Sequence, residues 1–592
     1  MSKYYVQRKT ETQGDVFAAV GLAKLLDSEE HPAHIRMEGD YFIVEAMDSQ
    51  NQNYSKLSRK SIYRYLVNGK VNAPAEIPFY NLVEAKELEQ RKEEQRNKLE
   101  AERKRNPNLR NDPDIQQKLE EYAPDPEYRL YRFFSTMQAD TGANKALEYT
   151  HSKQSNWPQE LQLALKGMQN PAGAIPNVNL GASGNQLMNP LIAKGSYGIK
   201  PSGTNRHNPK IADTGDNEIF QYFRYGGYFS AAVPYQDEKQ NLRLLTPIPK
   251  DISLTAFELI VQKLRSSKFF KSKKLKLDVL ASLRVAALLI EHSEYASSEQ
   301  PNFAKLFISN YSPADLISGL HITHYLKTSQ FGKNVTELSF VAVPGWFPIK
   351  SKEDADSWRS IIEEHQNILR NLDESNSEEI SLLQQYRKFL QIRDTEAFTE
   401  LICFISNYGA YWMSATNDPR RRRMPRFTTS TLERMVESMA PNISAILKNP
   451  HFQSIAKAIR KSTVSAQAQK AMGKKPWREI RYGLVAELNR KRFVKEELIE
   501  ALAIFVTQYN SENARRRENK ESLKAAPSNI TTEDLEGVAA LIDETDNPAL
   551  IGALLCAYGT CREPAAEAEE IRQEEEELLE SEISEIEEVE TE

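Results

Sequence analysis

Between Arg420 and Lys520 the chain carries 23 Lys and Arg against 9 Asp and Glu, while apolar residues recur at helical spacing through the same stretch. No other feature constrains the fold as much. Continued to Arg562, the pattern predicts an all-α helical bundle of five or six helices. Its breaks fall near Pro441, Asn449-Pro450, Gly473 to Pro476, the stretch from Arg515 to Pro527, and Asn547-Pro548, where Pro, Gly and Asn interrupt helices. Short links between such helices imply a compact antiparallel bundle. A surplus of 14 positive charges is not needed to build a helical core, and it is what a polyanion requires.

The overall charge of −6 hides this segregation. From Glu563 to Glu592 there are 15 Glu and one Arg, a net of −14, so the first 562 residues carry +8. The tail reads as a disordered acidic appendage. It could screen the basic body from non-specific nucleic acid, or it could simply solubilise the chain. A length of 592 residues implies several domains. The expected division is a small α/β unit over 1–80, a charged helix and linker over 81–122, and an α+β body over 123–425. The helical bundle then spans 426–563 and the tail 564–592.

Within the first unit, Asp15-Val-Phe-Ala-Ala-Val has helical spacing with Asp15 as its N-terminal cap, and His34 to Ala46 reads as two strands around a Glu-Gly-Asp turn. Val83 to Arg105 suits a solvated helix laced with ion pairs. In the body, helical spacing returns at Glu127 and after Trp157. Strands are expected at 219–225 and 227–233, then mostly helix from Thr255 to Met413, broken by a strand near Leu338. The irregular stretch 170–217 is rich in Gly, Asn, Ser and Pro.

Three cysteines (Cys403, Cys556 and Cys561) without paired spacing argue for a reducing compartment and against a zinc site. The N-terminus has no apolar leader and no 18-residue apolar run occurs, so the expectation is a soluble, cytoplasmic protein with no membrane partner. Phosphate-loop and nucleophile-elbow motifs are absent. His321-Ile-Thr-His324, a close histidine pair, reads as packing or surface rather than a metal site. The expectation is a non-enzyme with no cofactor and no metal.

Two regions carry the residue types of nucleic-acid contact. In the irregular stretch, Asn177, Asn179, Asn185, Gln186, Asn205 and Asn208 offer paired donors and acceptors for base edges, and Lys194, Lys200, Arg206 and Lys210 supply charge. A long surface loop with no ligand favours the same composition. In the bundle, the phosphate-binding candidates are Arg460, Lys461, Lys474, Lys475, Arg478, Arg481, Arg490, Lys491 and Arg492. Tyr222-Phe-Arg-Tyr-Gly-Gly-Tyr-Phe could form a stacking platform, with core packing the favoured reading. Phe269-Phe-Lys-Ser-Lys-Lys-Leu-Lys276 is a basic cluster, either facing phosphate or starting a solvated helix.

Phe427-Thr-Thr-Ser, Ala458-Ile-Arg-Lys-Ser-Thr, Glu479-Ile-Arg-Tyr-Gly-Leu, Tyr509-Asn-Ser-Glu-Asn-Ala-Arg and Ile530-Thr-Thr-Glu-Asp-Leu carry a resemblance. Together with Tyr408 to Met413 and the Asn/Gly-rich loop, they resemble the large subunit of a type I-B CRISPR Cascade complex. The likeness centres on the last third of the chain, the small-subunit-like helical end. It implies a non-catalytic subunit of an RNA-guided complex, whose partners are a guide RNA, the other Cascade backbone subunits and target double-stranded DNA. The protein would read a short protospacer-adjacent motif, promote R-loop formation and hold the displaced strand. The motif-reading role would fall to the loop around Asn177 to Lys210. The resemblance also implies separate copies of the helical module acting as small subunits, with Met424 or Met435 as internal starts. Downstream partners would be a helicase-nuclease or transposition proteins. Two other readings of the residues stand beside it: a nuclease with an unrecognised site, and a charged protein–protein scaffold.

Overall fold

A computed structural model of the chain describes residues 1–564 except 47–53, 70–72, 107–108, 110–111, 182–184, 191–216, 237–240, 268–273, 294–310, 328–332, 393–394, 477 and 519–528. The expected disordered tail from 565 onward lies outside the described residues. The chain is α+β in its first part and helical in its last. It forms two compact units, one of Met1–Lys273 with Ala281–Lys352, the other of Lys274–Leu280 with Glu353–Glu592.

The first unit contains strands β1 (Ser2–Gln7), β2 (His34–Glu38), β3 (Tyr41–Ala46), β4 (Tyr65–Val67), β5 (Phe79–Asn81), β6 (Val233–Gln236), β7 (Leu242–Pro249), β8 (Asp251–Ser253), β9 (Ile317–Lys327) and β10 (Lys333–Ala342). They make two four-stranded sheets, ordered β1-β3-β2-β8 and β10-β9-β7-β6, with antiparallel neighbours throughout, and a parallel β4-β5 pair. Its helices are α1 (Gln13–Leu26), α2 (Tyr54–Leu57), α3 (Leu82–Arg105), α4 (Pro113–Glu121), α5 (Pro126–Thr136), α6 (Asp140–His151), α7 (Trp157–Met168), α8 (Glu218–Ala231), α9 (Leu254–Arg265), α10 (Lys274–Glu291) and α11 (Pro313–Leu316). Residues of α10 up to Leu280 belong to the second unit.

The hairpin expected at 34–46 is β2–β3, and Gly39 at its tip takes φ +53°, the left-handed region glycine enters without strain. The sheet begun there is completed by β8, some 200 residues on. Thr12, not Asp15, caps α1: its hydroxyl accepts from the Gly14 amide. The Asp15 carboxylate instead accepts from the Thr10 and Glu11 amides at 2.8 Å. Burial raises its pKa against those bonds.

The two strands expected at 219–225 and 227–233 are one helix, α8. The aromatic run misled because strand and buried helix share it; the two glycines break the tie. A Cβ on Gly227 would run into the Phe17 carbonyl, and one on Gly21 into that of Phe223, so α1 and α8 cross with their backbones in contact. Tyr222, Phe223, Tyr225 and Tyr228 are all fully buried, which removes the stacking platform. Strand β9, inside a stretch expected to be helical, pairs with β10, the strand foreseen near Leu338.

The second unit is helical among its described residues: α12 (Lys352–Asn371), α13 (Ser377–Gln391), α14 (Thr395–Ala415), α15 (Thr429–Met439), α16 (Ser444–Lys448), α17 (Pro450–Arg460), α18 (Ala466–Ala471), α19 (Leu484–Lys491), α20 (Lys495–Glu518), α21 (Thr532–Thr545) and α22 (Pro548–Thr560). A π turn over Lys461–Ser465 joins α17 to α18. Two of the predicted breaks are caps, whereas the break predicted from Arg515 starts inside α20, which runs to Glu518, and its remainder from 519 lies outside the described residues. Asn449 accepts from the His451 and Phe452 amides ahead of α17, Asn547 from Leu550 ahead of α22, and Pro follows each at the first helical turn. Lys276, from the basic cluster at 269–276, donates to the Arg370 and Leu372 carbonyls and so ends α12.

Helix α14 is central. Leu401, Ile402, Phe404 and Ile405 are buried on it, Gly409 lies against Thr560 of α22, and the Trp412 indole donates to the Met424 carbonyl at 2.9 Å. At ~1.5–3 kcal/mol per buried side chain, those four residues are comparable with the whole stability of a domain. A product begun at Met424 or Met435, both buried, would lack α14 and leave its seat on α19 and α22 open to water. At the other boundary, the Arg562 amide donates to the Phe427 carbonyl and its own carbonyl accepts from Thr429, so the ends of the basic segment clasp each other.

Candidate nucleic-acid interface

In the first unit, Asn177 and Asn179 are exposed. The Asn179 side-chain oxygen accepts from the Gly181 amide at 3.1 Å, a local turn. Asn185 is a staple. Its amide donates to the Met137 carbonyl at 2.9 Å while its oxygen accepts from the Leu187 amide at 2.8 Å. The Gln186 carbonyl accepts from the Tyr325 hydroxyl at 3.4 Å. Asn217 and Glu218 pin the same segment by accepting from Val178 and Leu180. Asn185 therefore serves the backbone and is not free to read a base. Lys194, Lys200, Asn205, Arg206, Asn208 and Lys210 lie outside the described residues.

In the second unit, the nine cations expected to bind phosphate separate by role. Arg460, Arg478 and Arg492 are buried. Arg460 lies 5.3 Å from the Tyr558 ring centroid, donates to the Tyr558 carbonyl at 3.1 Å and pairs with Glu563. Arg478 lies 4.0 Å from the Tyr509 ring centroid and donates to Asn513 at 2.7 Å. Burial pulls its guanidinium below the ordinary value, against the raising influence of Tyr509 and Glu512. Arg492 lies 5.0 Å from the Phe493 centroid and donates to the Cys403 sulfur. Arginine packs its flat ion on an aromatic ring better than lysine does, which suits Arg460 and Arg478 to the inside, where Tyr558 and Tyr509 are buried with them.

Arg481 pairs with Glu512 at 2.9 Å, and its amide donates to the Ser462 carbonyl of the π turn. Lys491 pairs with Glu487 and Glu500. Lys461 is half-buried, whereas Lys474, Lys475 and Arg490 are exposed. Helix α20 measures how far apart the groups lie. Glu512, under Arg478 and Arg481, is 17 residues beyond Lys495, roughly 25 Å of helix. Arg490, Lys491 and Arg492 sit at the Lys495 end, so the nine cations form no single surface.

One basic face does form, at the far end of α20. Lys474 and Lys475 are exposed in the loop after α18, alongside Lys470. Arg478 and Arg481 tie that loop down to Asn513 and Glu512, one turn before the exposed Arg515 and Arg517 and the half-buried Arg516. Arg516 is near enough to Arg478 to lower its pKa. Gln467 of α18 donates to Thr416 at 3.1 Å, and Arg422 and Arg423, a few residues on, are exposed. Arg421 is occupied by buried Glu379 at 2.6 Å, and Arg420 by Asp418. Sequence reasoning left Lys470 and Arg515–Arg517 out of the candidate set. A triple arginine in the last turn of a long helix was the available signal, though it also suits the helix dipole.

No protein-family model matches this chain, and no curated protein matches it. His321 and His324 are three residues apart on β9 and so lie on opposite faces of the strand. Burial pushes the Cys556 thiol up to about 12 and raises that of Cys561 too. Among the described residues no three His, Cys, Asp or Glu come together as a metal-ligand group, and no helix is long and apolar enough to cross a membrane.

Proposed function

We propose that the chain is a non-catalytic, nucleic-acid-binding subunit of an RNA-guided surveillance complex of the Cascade kind, working in the cytoplasm. Its partners would be a guide RNA, backbone subunits and target duplex. The second unit holds the displaced strand through phosphates. The motif-reading and duplex-opening part of the role falls to the first unit, to Asn177 and the loop that follows. The observation that carries the reading is the basic face: Lys470, Lys474, Lys475, Arg515 and Arg517 are exposed, while Arg478 and Arg481 beneath them engage Glu512. A face of that kind gains affinity by releasing counterions.

The test is binding of labelled DNA to the full chain across a salt series. Lys474→Glu with Lys475→Glu is expected to weaken binding at least tenfold at low salt and to flatten the slope of log affinity against log salt by about two. Unchanged binding and slope would remove the face from the proposal. RNA recovered with the tagged protein from its own cells tests the complex: short RNAs of uniform length with repeat-derived ends are expected, and random RNA would overturn the Cascade part.

A further inference from the structure

We infer that Tyr482 is a stacking seat for one unpaired base of the strand that the basic face grips. The inference rests on the displaced-strand reading of that face and adds a contact to a base. Tyr482 lies in the loop between α18 and α19 and is 40 % exposed. Lys470 donates to its hydroxyl at 2.8 Å, with the ammonium 5.4 Å from the ring centroid. The exposed Met472 belongs to the same loop. An aromatic ring among lysines is the arrangement that single-strand binders use, because every base has a π-face and stacking tolerates any sequence. Bases inside a duplex are already stacked and offer no such face.

The ring is also held in place. On one side Arg481 is tied to Glu512 by its side chain and to Ser462 by its amide. On the other, Leu484 is buried, with its amide bonded to the Arg481 carbonyl. Tyr482 is thus an exposed ring between two anchored neighbours, so a base that lands on it orders little that is not already ordered. The other exposed aromatic residue of the second unit among the described residues, Phe493, sits at the opposite end of α20 and serves as the control.

The experiment measures fluorescence polarisation of a labelled oligothymidine strand and of a labelled duplex with the full chain. Tyr482→Ala is expected to weaken single-strand binding roughly tenfold, within the range base–aromatic stacking supplies, and to leave duplex binding unchanged. Tyr482→Phe keeps the ring and is expected to bind as the unaltered chain does, as is Phe493→Ala. A strand carrying 5-iodouracil, irradiated in the complex and digested, is expected to attach to Tyr482, which reads contact in the unaltered protein. If Tyr482→Ala binds the strand normally while Lys474→Glu with Lys475→Glu weakens it, the stacking seat is overturned and the phosphate face survives. If the unaltered chain binds no single strand, both fall.

Discussion

The irregular segment of the first unit and the basic loop of the second use polar side chains in opposite ways. In the first, Asn185 turns inward to satisfy the Met137 carbonyl and the Leu187 amide of a segment with no regular structure of its own, and exposed Asn179 closes a local turn through its side-chain oxygen. Asn185 has both its oxygen and its amide engaged by the backbone. In the second, the loop is fixed from below by Arg478 and Arg481, and its lysines are left outside. Buried arginine here is scaffold and exposed lysine is surface. The comparison teaches that a count of charges or amides identifies a region, whereas the partner each one takes decides its role.

That division is breakable. Arg478→Ala should be the costliest change, about 3 kcal/mol, since it leaves the buried Asn513 oxygen without its donor and the Tyr509 ring without its cation, with Glu512 keeping only Arg481; denaturant unfolding measures it. Were Arg478 a phosphate ligand, the same variant would keep its stability and lose only affinity. Asn185→Ala comes next at about 2 kcal/mol, because the Met137 carbonyl and Leu187 amide both lose a partner. An altered flanking-motif preference with no change in unfolding midpoint would restore Asn185 as a reader.

The smallest effect concerns His365, fully buried, bonded to the Tyr386 hydroxyl at 2.8 Å and in contact with the Phe427 ring. Burial lowers its pKa to about 3, whereas the unfolded chain protonates it near 6.5. Its contribution is therefore complete above pH 6.5 and falls as pH drops from there toward 3. The loss is about 1.4 kcal/mol at one pH unit below 6.5. His365→Gln should flatten that part of a pH–stability curve. An unchanged curve would mean that Phe427 opens a detachable module and does not cover a shared core.

Much of this architecture was legible and some was not. The β2–β3 hairpin and the helix starts at Asn449-Pro450 and Asn547-Pro548 follow from local chemistry, since the signalling residues are those that satisfy the backbone. Helix α8 was read as two strands because its burial hides the polar face that periodicity needs. Strand β9 was missed because its partner β7 lies some 70 residues earlier in the chain. The roles of Arg460 and Arg478 were illegible for a similar reason: their rings, Tyr558 and Tyr509, lie 98 and 31 residues away, and no local pattern pairs them.

The clasp between Arg562 and Phe427–Thr429 has a mechanical meaning. A pull on the acidic tail reaches Glu563, paired with Arg460 of α17, and then Arg562, bonded to the stretch of chain that enters the basic segment. Force is therefore shared with the entrance of the segment and with α17 before it reaches α22. Whatever the tail is tethered to, the load enters the bundle at several points at once.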